Sequence, residues 1–278
     1  MRLATLRTSA GTVAVRSEGD RLVRLASPDV GALLASADWR AIASRDGDSV
    51  PALGADLAPV VPRPGKIICV GLNYAHHIRE MGRDLPQHPT LFAKYPEALI
   101  GPNDLIDLPP DSDAVDWEAE LAVIIGRRTR RAGDEEAADA IAGFAVLNDV
   151  TMRDWQYRTD QWLQGKTFEG TTPFGPVLVT PDELPGGVRP VLMLSGQVDG
   201  ETVQQTSTED LVFHPVALVR YISTILTLQP GDVIATGTPG GVGHARRPPR
   251  YLQDGSRLVT EATALGRLDN VARRSPGS

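Results

Sequence analysis

The sequence has few of the features that would explain a protein quickly. It holds one cysteine, so no disulfide can form within the chain. That residue, Cys69, lies in the apolar run Ile67-Ile68-Cys69-Val70, where a thiol is an inert core group. There is no excess of positive charge: Lys+Arg number 28 against Asp+Glu 35, a net charge of −7 at pH 7. No basic patch is large enough to expect nucleic acid as a partner. The one concentrated basic run, Arg127-Arg128-Thr129-Arg130-Arg131, follows an apolar strand and reads as a solvated turn. No apolar run reaches membrane-spanning length, and MRLATLRTSAG at the N-terminus lacks the apolar centre of a signal peptide. The expectation is a soluble cytoplasmic protein with no membrane partner.

What is present points to a β-rich fold. Hydrophobic residues make up 41% of 278, enough for a sizeable core, and Gly 27 with Pro 22 implies many turns. The length suits one large domain, or a main domain with a small one attached. Residues 1–58 read as a small N-terminal α+β unit of short strands and one helical stretch over 30–40. Residues 59–66, with three prolines, read as a stiff linker. A main domain over 67–271 and a flexible tail over 272–278 complete the expected organisation.

The chain is organised around Asp116-Trp117-Glu118-Ala119-Glu120-Leu121-Ala122-Val123-Ile124-Ile125-Gly126. Its second half is β-branched and apolar and stops at a glycine, the pattern of a strand. Alternation places Glu118 and Glu120 on one face with Ala122 and Ile124, so two carboxylates sit side by side on a strand apolar on both faces. Neighbouring buried carboxylates need compensation from a divalent cation, basic side chains or a shared proton. A third acid, Asp149, follows the apolar strand Ala145-Val146-Leu147-Asn148. Three such acids suit a hard cation such as Mg²⁺, whose oxygen ligands lie at about 2.0–2.1 Å. On spacing alone, glutamates at a solvated strand rim explain the pair as well.

Other candidates are scattered along the chain. His77 and Glu80 are i,i+3 neighbours on a short predicted helix and can meet, as a carboxylate-oriented general base requires. An exposed helix carrying an ordinary His-Glu pair has the same pattern. Lys94 falls in a proline-punctuated loop over 85–102 and can face a carboxylate or water. Arg153 and Gln156 share a face if that segment forms a helical turn, and together suit a substrate carboxylate. Lys166, after a glycine and among aromatics, can supply charge at an oxyanion or cap a loop. Asp199-Gly200 marks a hairpin. Residues 208–226 have helical apolar spacing, within which His214 reads as structural. The strand-to-glycine segment ending Thr236-Gly237-Thr238-Pro239-Gly240-Gly241-Val242-Gly243 lacks the lysine of a phosphate loop, but can bring backbone amides and the Thr238 hydroxyl against a small acid.

Taken in order, Gly71-x-Asn73-Tyr74-Ala75-x-His77-x-x-Glu80, Glu118-x-Glu120, Asp149-x-x-x-Arg153-x-x-Gln156, Gly165-Lys166, Pro173-x-Gly175-Pro176 and the Pro230–Gly243 segment resemble the fumarylacetoacetate hydrolase family. The likeness spans residues 64–271. It implies an α+β, β-rich fold, a mixed β-sandwich roll with a small N-terminal domain, usually as a homodimer. It implies Mg²⁺ or Mn²⁺ on Glu118, Glu120 and Asp149, with Lys166 beside the metal. His77 and Glu80 would lie on a lid, and Arg153, Gln156 and Thr238 would hold a keto acid substrate. One departure is Glu169, where many relatives carry Asp. The expected reaction is hydrolysis of a carbon–carbon bond in a β-diketo acid of the acylpyruvate or fumarylpyruvate type, through a metal-bound enolate. In that scheme His77, oriented by Glu80, activates water and Lys166 stabilises the oxyanion. A 2-oxo acid (oxaloacetate) decarboxylase or oxo-dienoate isomerase of the same family is the alternative. A non-catalytic protein that binds a small acid is the alternative from another class.

Overall fold

The computed structural model describes residues 1–274. At its centre runs the strand Ala119–Ile125, every residue of which is buried. It pairs antiparallel with Ile141–Asn148 on one side and with Val233–Ala235 on the other. Val233–Ala235 in turn runs parallel to Ile67–Gly71, which carries Thr90–Lys94 at the sheet's edge. Beyond Ile141–Asn148 come Thr172–Val179 and then the N-terminal strands Arg2–Thr8, Gly11–Glu18, Arg21–Arg24 and Ser49–Pro51. A second sheet, five-stranded among the described residues, contains Glu201–Ser207, Met193–Val198, Arg257–Ala262, Gly266–Arg274 and Leu105–Leu108.

The period-2 alternation of the central strand divides the core. Leu121, Val123 and Ile125 face the small sheet's Leu194, Ala262 and Leu268, and the helix Pro215–Ile225 adds Leu218, Val219 and Ile222 to that layer. Ala122 and Ile124 face the other way, into a cluster with Leu147, Phe174, Leu33, Leu34 and Val60. Each fully buried Val, Leu or Ile contributes about 1.5–3 kcal/mol. Both layers are therefore strongly held, and the strand between them is a rigid platform for the acids at its start. The architecture is the β-rich α+β sandwich expected from the sequence.

The predicted hairpin forms, with Asp199 and Gly200 both at positive φ between Met193–Val198 and Glu201–Ser207. The predicted helix starts later than its apolar spacing implied, at Pro215. His214 caps it by accepting a hydrogen bond from Ala217 N at Nδ1, the structural role expected of it.

Two stretches differ from their sequence reading, the 85–102 loop and the start of the expected tail. The segment over 85–102 is not a continuous loop, because Thr90–Lys94 is a strand paired with Ile67–Gly71. Residues 1–58 join the main sheet through Arg2 and Leu3, which pair with Val179 and Leu178, and helix Val30–Leu34 shares a hydrophobic cluster with the central strand. Of the expected tail, residues 272–274 belong to a strand that pairs in parallel with Leu105–Leu108, and Ala272 is fully buried. Residues 275–278 lie outside the described residues. These pairings join segments far apart in sequence and carry no local signal.

Candidate metal centre and active site

The central strand and its neighbour deliver the three predicted acids to one point. Glu118 and Glu120 sit at the start of Ala119–Ile125, and Asp149 directly follows Ile141–Asn148. The Asn148 side chain accepts a hydrogen bond from Glu118 N, and Asp149 N donates to Glu118 O, so the two strand ends are locked together. One oxygen from each of the three carboxylates lies within 4.8 Å of the others, and all three residues are buried.

Basic side chains compensate part of this charge. Lys166 Nζ lies 2.7 Å from Glu118 Oε2 and 2.8 Å from Asp149 Oδ2. Lys94 Nζ lies 2.9 Å from Asp149 Oδ1 and donates to Thr172 Oγ1 at 2.7 Å. Arg153 Nη2 lies 2.7 Å from Glu118 Oε1, while its Nε donates to Asp116 Oδ2 at 2.8 Å. Glu120 differs: Oε2 accepts from Gly237 N at 2.8 Å, and no ion pair reaches it among the described residues. Gly237 has φ +101, and a Cβ there would stand 2.8 Å from Val70 O. Only glycine brings that amide so close.

The electrostatics follow from this layout. Burial, then the like charges of Asp149 and Glu118, push the Glu120 carboxyl well above the ordinary glutamate range. Burial opposes ionisation of Asp149, but Lys166 and Lys94 outweigh it and hold that carboxyl below its usual value. Burial would lower Lys166, yet Asp149 and Glu118 more than offset it, and the ammonium stays charged. With every acid ionised, Asp116, Glu118, Glu120 and Asp149 would exceed Lys94, Lys166 and Arg153 by one negative charge, and burial together with that repulsion raises Glu120. Three buried, hard oxygen donors converging within 4.8 Å fit a divalent cation.

Beside the cluster lies a cavity of about 350 Å³ lined by His77, Glu118, Arg153, Gln156, Lys166 and Thr238, among others. Of the expected site residues, six thus share one space, and Glu120 and Asp149 lie behind it in the cluster. Arg153 and Gln156 occupy the short helix Arg153–Gln156, bonded to each other through Nη1 and Oε1 at 2.8 Å. The Thr238 hydroxyl donates to Ala119 O and accepts from Gln204 Nε2. Glu80 is placed differently. Its Oε1 lies 3.1 Å from His76 Nε2, one turn back along Ala75–Glu80, so the predicted side-chain pair forms with His76. His77 turns to the cavity instead, and burial holds its imidazole below the ordinary histidine range despite the attraction of Glu80.

Two participants escaped the sequence reading. Asp116 receives Arg153 Nε, Gly243 N and Trp117 N, and so fixes the arginine that contacts Glu118. It opens the organising stretch, but its role depends on contacts across more than a hundred residues. The sequence leaves Lys94 open between a carboxylate and water. The signal was composition: the chain has only three lysines, Lys66, Lys94 and Lys166. Each one pairs with a buried acid, Lys66 with Asp232.

This fold, with a buried carboxylate cluster that could hold a metal ion under a cavity of polar and basic side chains, is that of a known enzyme family. The model of the fumarylacetoacetate (FAA) hydrolase C-terminal family matches residues 66–273, and the chain belongs to that family. The mitochondrial oxaloacetate tautomerase Fahd2a of Rattus norvegicus is 45% identical over 215 residues, covering 77% of this chain and 68% of that protein. The human mitochondrial oxaloacetate tautomerase FAHD2A is 44% identical over 216 residues, with the same two coverages, 77% and 68%. Among solved structures, fumarylacetoacetate hydrolase from Exiguobacterium antarcticum matches with a TM-score of 0.89 at 31% identity, covering 99% of this chain and 100% of that one. The 5-carboxymethyl-2-hydroxymuconate delta-isomerase from Mycobacterium smegmatis matches with a TM-score of 0.81 at 31% identity and the same coverage, 99% and 100%. Both tautomerases are mitochondrial by name, so they lend no support to a cytoplasmic location. Among the described residues no helix is long and apolar enough to cross a membrane.

Proposed function

We propose that this chain is a divalent-metal-dependent isomerase of small 2-oxo acids, with keto–enol tautomerisation of oxaloacetate as its first candidate reaction. One observation carries the proposal: a neutral, half-buried His77 faces the same cavity as Lys166 and the metal-site carboxylate Glu118. A base and an electrophilic site in one pocket meet the needs of enolisation, which moves a proton and requires no attacking water. Relatives about 45% identical that are named oxaloacetate tautomerases support the same choice.

Glu118, Glu120 and Asp149 would hold Mg²⁺ or Mn²⁺, which when bound supplies Lewis acidity toward the 2-oxo group. Gln156 and Arg153 orient the substrate's C1 carboxylate from one wall of the cavity. Lys166, kept charged by its two acid partners, stabilises negative charge as it develops on the 2-oxo oxygen. His77 takes the proton from C3, and the imidazolium so formed gives it to the enolate oxygen; the reverse direction returns it to C3. The net change is one proton shifted between carbon and oxygen.

The hydrolysis expected from the sequence is the second reading. It is favoured by the position of Glu80, whose Oε2 and His77 Nδ1 would lie 3.4 and 3.0 Å from a Cβ placed on Gly240, so that a carboxylate oxygen stands near the imidazole. Deuterium exchange at C3 of oxaloacetate in D₂O, followed by NMR with Mg²⁺ present, separates the two. Exchange above the uncatalysed rate supports the isomerase. Cleavage of acetylpyruvate with no catalysed exchange supports the hydrolase. The homodimer belongs to the proposal as well, and a solution mass near the single-chain 29.8 kDa would remove it.

A further inference from the structure

Charge is unevenly distributed around the cavity. At its buried end, Arg153 and Lys166 are already engaged by Asp116, Glu118 and Asp149. The lining also includes the apolar Val70, Leu72, Phe92, Trp162 and Val242. At its exposed end stands a third strong cation, Arg83. Among the described residues no ion pair or side-chain hydrogen bond engages its guanidinium. The cavity therefore offers one positive charge that the buried carboxylates do not engage.

The backbone shows that this placement is built. Helix Ala75–Glu80 ends with Gly82 at φ +67. Gly82 N donates to Arg79 O at 2.9 Å and Arg83 N donates to Ile78 O at 3.2 Å. This pair of bonds is the glycine-dependent reversal that closes many helices, and it folds the following residue back over the last turn. Arg83 is thereby tied to the fully buried Ile78, next to His77, rather than carried on a free loop. A Cβ on Gly82 would meet no atom within 4 Å, so the glycine serves the left-handed turn and not close packing.

We infer that Arg83 binds a second carboxylate and so makes the cavity selective for 2-oxo diacids over 2-oxo monoacids. The inference rests on the 2-oxo acid reading of the cavity and narrows its substrate class. A substrate with its 2-oxo acid end at the buried cluster places a distal carboxylate toward the exposed end, where a guanidinium can receive it with two parallel hydrogen bonds. The apolar side chains of the lining then cover the carbon chain.

The test compares two acids of equal chain length, 2-oxoglutarate and 2-oxopentanoate, which differ in the second carboxylate. Calorimetric titration of the Mg²⁺-supplemented protein is expected to show the diacid binding about tenfold or more tightly, the scale of a charged hydrogen bond. Arg83→Met should abolish that preference by weakening the diacid alone, and Arg83→Lys should retain part of it. Equal affinity for the two acids in the unsubstituted protein, or an unchanged preference in Arg83→Met, overturns the inference. Oxaloacetate turnover is measured separately on the unsubstituted protein. If it is absent while the Arg83-dependent preference persists, the isomerase reading falls and the diacid site remains.

Discussion

Glu80 Oε1 lies 3.1 Å from His76 Nε2, so the carboxylate expected to orient the cavity histidine is bonded to its neighbour. Both of these side chains are largely exposed, and an exposed pair of this kind contributes little to stability. His77 is the imidazole on the cavity wall. His77→Ala should lower kcat about a hundredfold or more, the usual scale for a lost general base. His76→Ala should change kcat only a few-fold. Steady-state kinetics on both variants check this, and similar losses in the two would remove the distinction.

The surroundings of His77 also set a pH dependence. Burial is the largest influence and disfavours the imidazolium, which places the histidine below its ordinary 6.5. The active form is the neutral one, so kcat/KM should rise with pH through a value below 6.5. A pH profile measures it. An acid limb centred above 6.5 would contradict a half-buried neutral base.

Lys94 is enclosed between Asp149 and Thr172 with no side-chain exposure. Lys94→Met leaves Asp149 short of one partner in a buried cluster. Breaking a buried pair in this way costs about 3–5 kcal/mol. The variant should melt lower than the unsubstituted protein in chelator, and Mg²⁺ or Mn²⁺ should recover part of the difference by binding the same acids. Thermal melts with and without the cation read both effects. A melt insensitive to Lys94→Met would mean that the ion pair does not hold the cluster.

Glu120 is the acid without a basic partner, pushed up by burial and by its two acidic neighbours. Glu120→Gln removes that repulsion, so in chelator the variant should be as stable as the original or more so. With one carboxylate fewer it should bind Mn²⁺ more weakly, by about tenfold or more. Manganese titration followed by electron paramagnetic resonance, alongside melts, checks the two opposed changes. Unaltered Mn²⁺ affinity would exclude Glu120 as a ligand.

How far the sequence revealed all this depended on how local each feature was. Glu118, Glu120 and Asp149 were legible because acids on strands that are otherwise apolar conflict with burial, and the conflict shows in a few residues. The Asp199–Gly200 hairpin and the core helix up to Ile225 were legible from turn chemistry and period. The partner of Glu80 was not, because i,i+3 and i,i+4 spacing put His77 and His76 about equally within reach, and side-chain direction decides between them. Lys94 looked like part of a loop because prolines surround a strand whose partner, Ile67–Gly71, lies about twenty residues earlier. The joining of Arg2–Thr8 to Thr172–Val179 bridges most of the chain, and no local pattern announces it.

The most direct test of the central claim follows the ultraviolet absorbance of enol-oxaloacetate as it relaxes to the keto form, with an independent assay for pyruvate. Chelation and Mg²⁺ add-back are run on the same sample. The account predicts accelerated relaxation to the uncatalysed equilibrium without pyruvate formation, lost on chelation and restored by the cation. Chelator-sensitive cleavage of acetylpyruvate, with the relaxation of oxaloacetate no faster than in buffer, would contradict it.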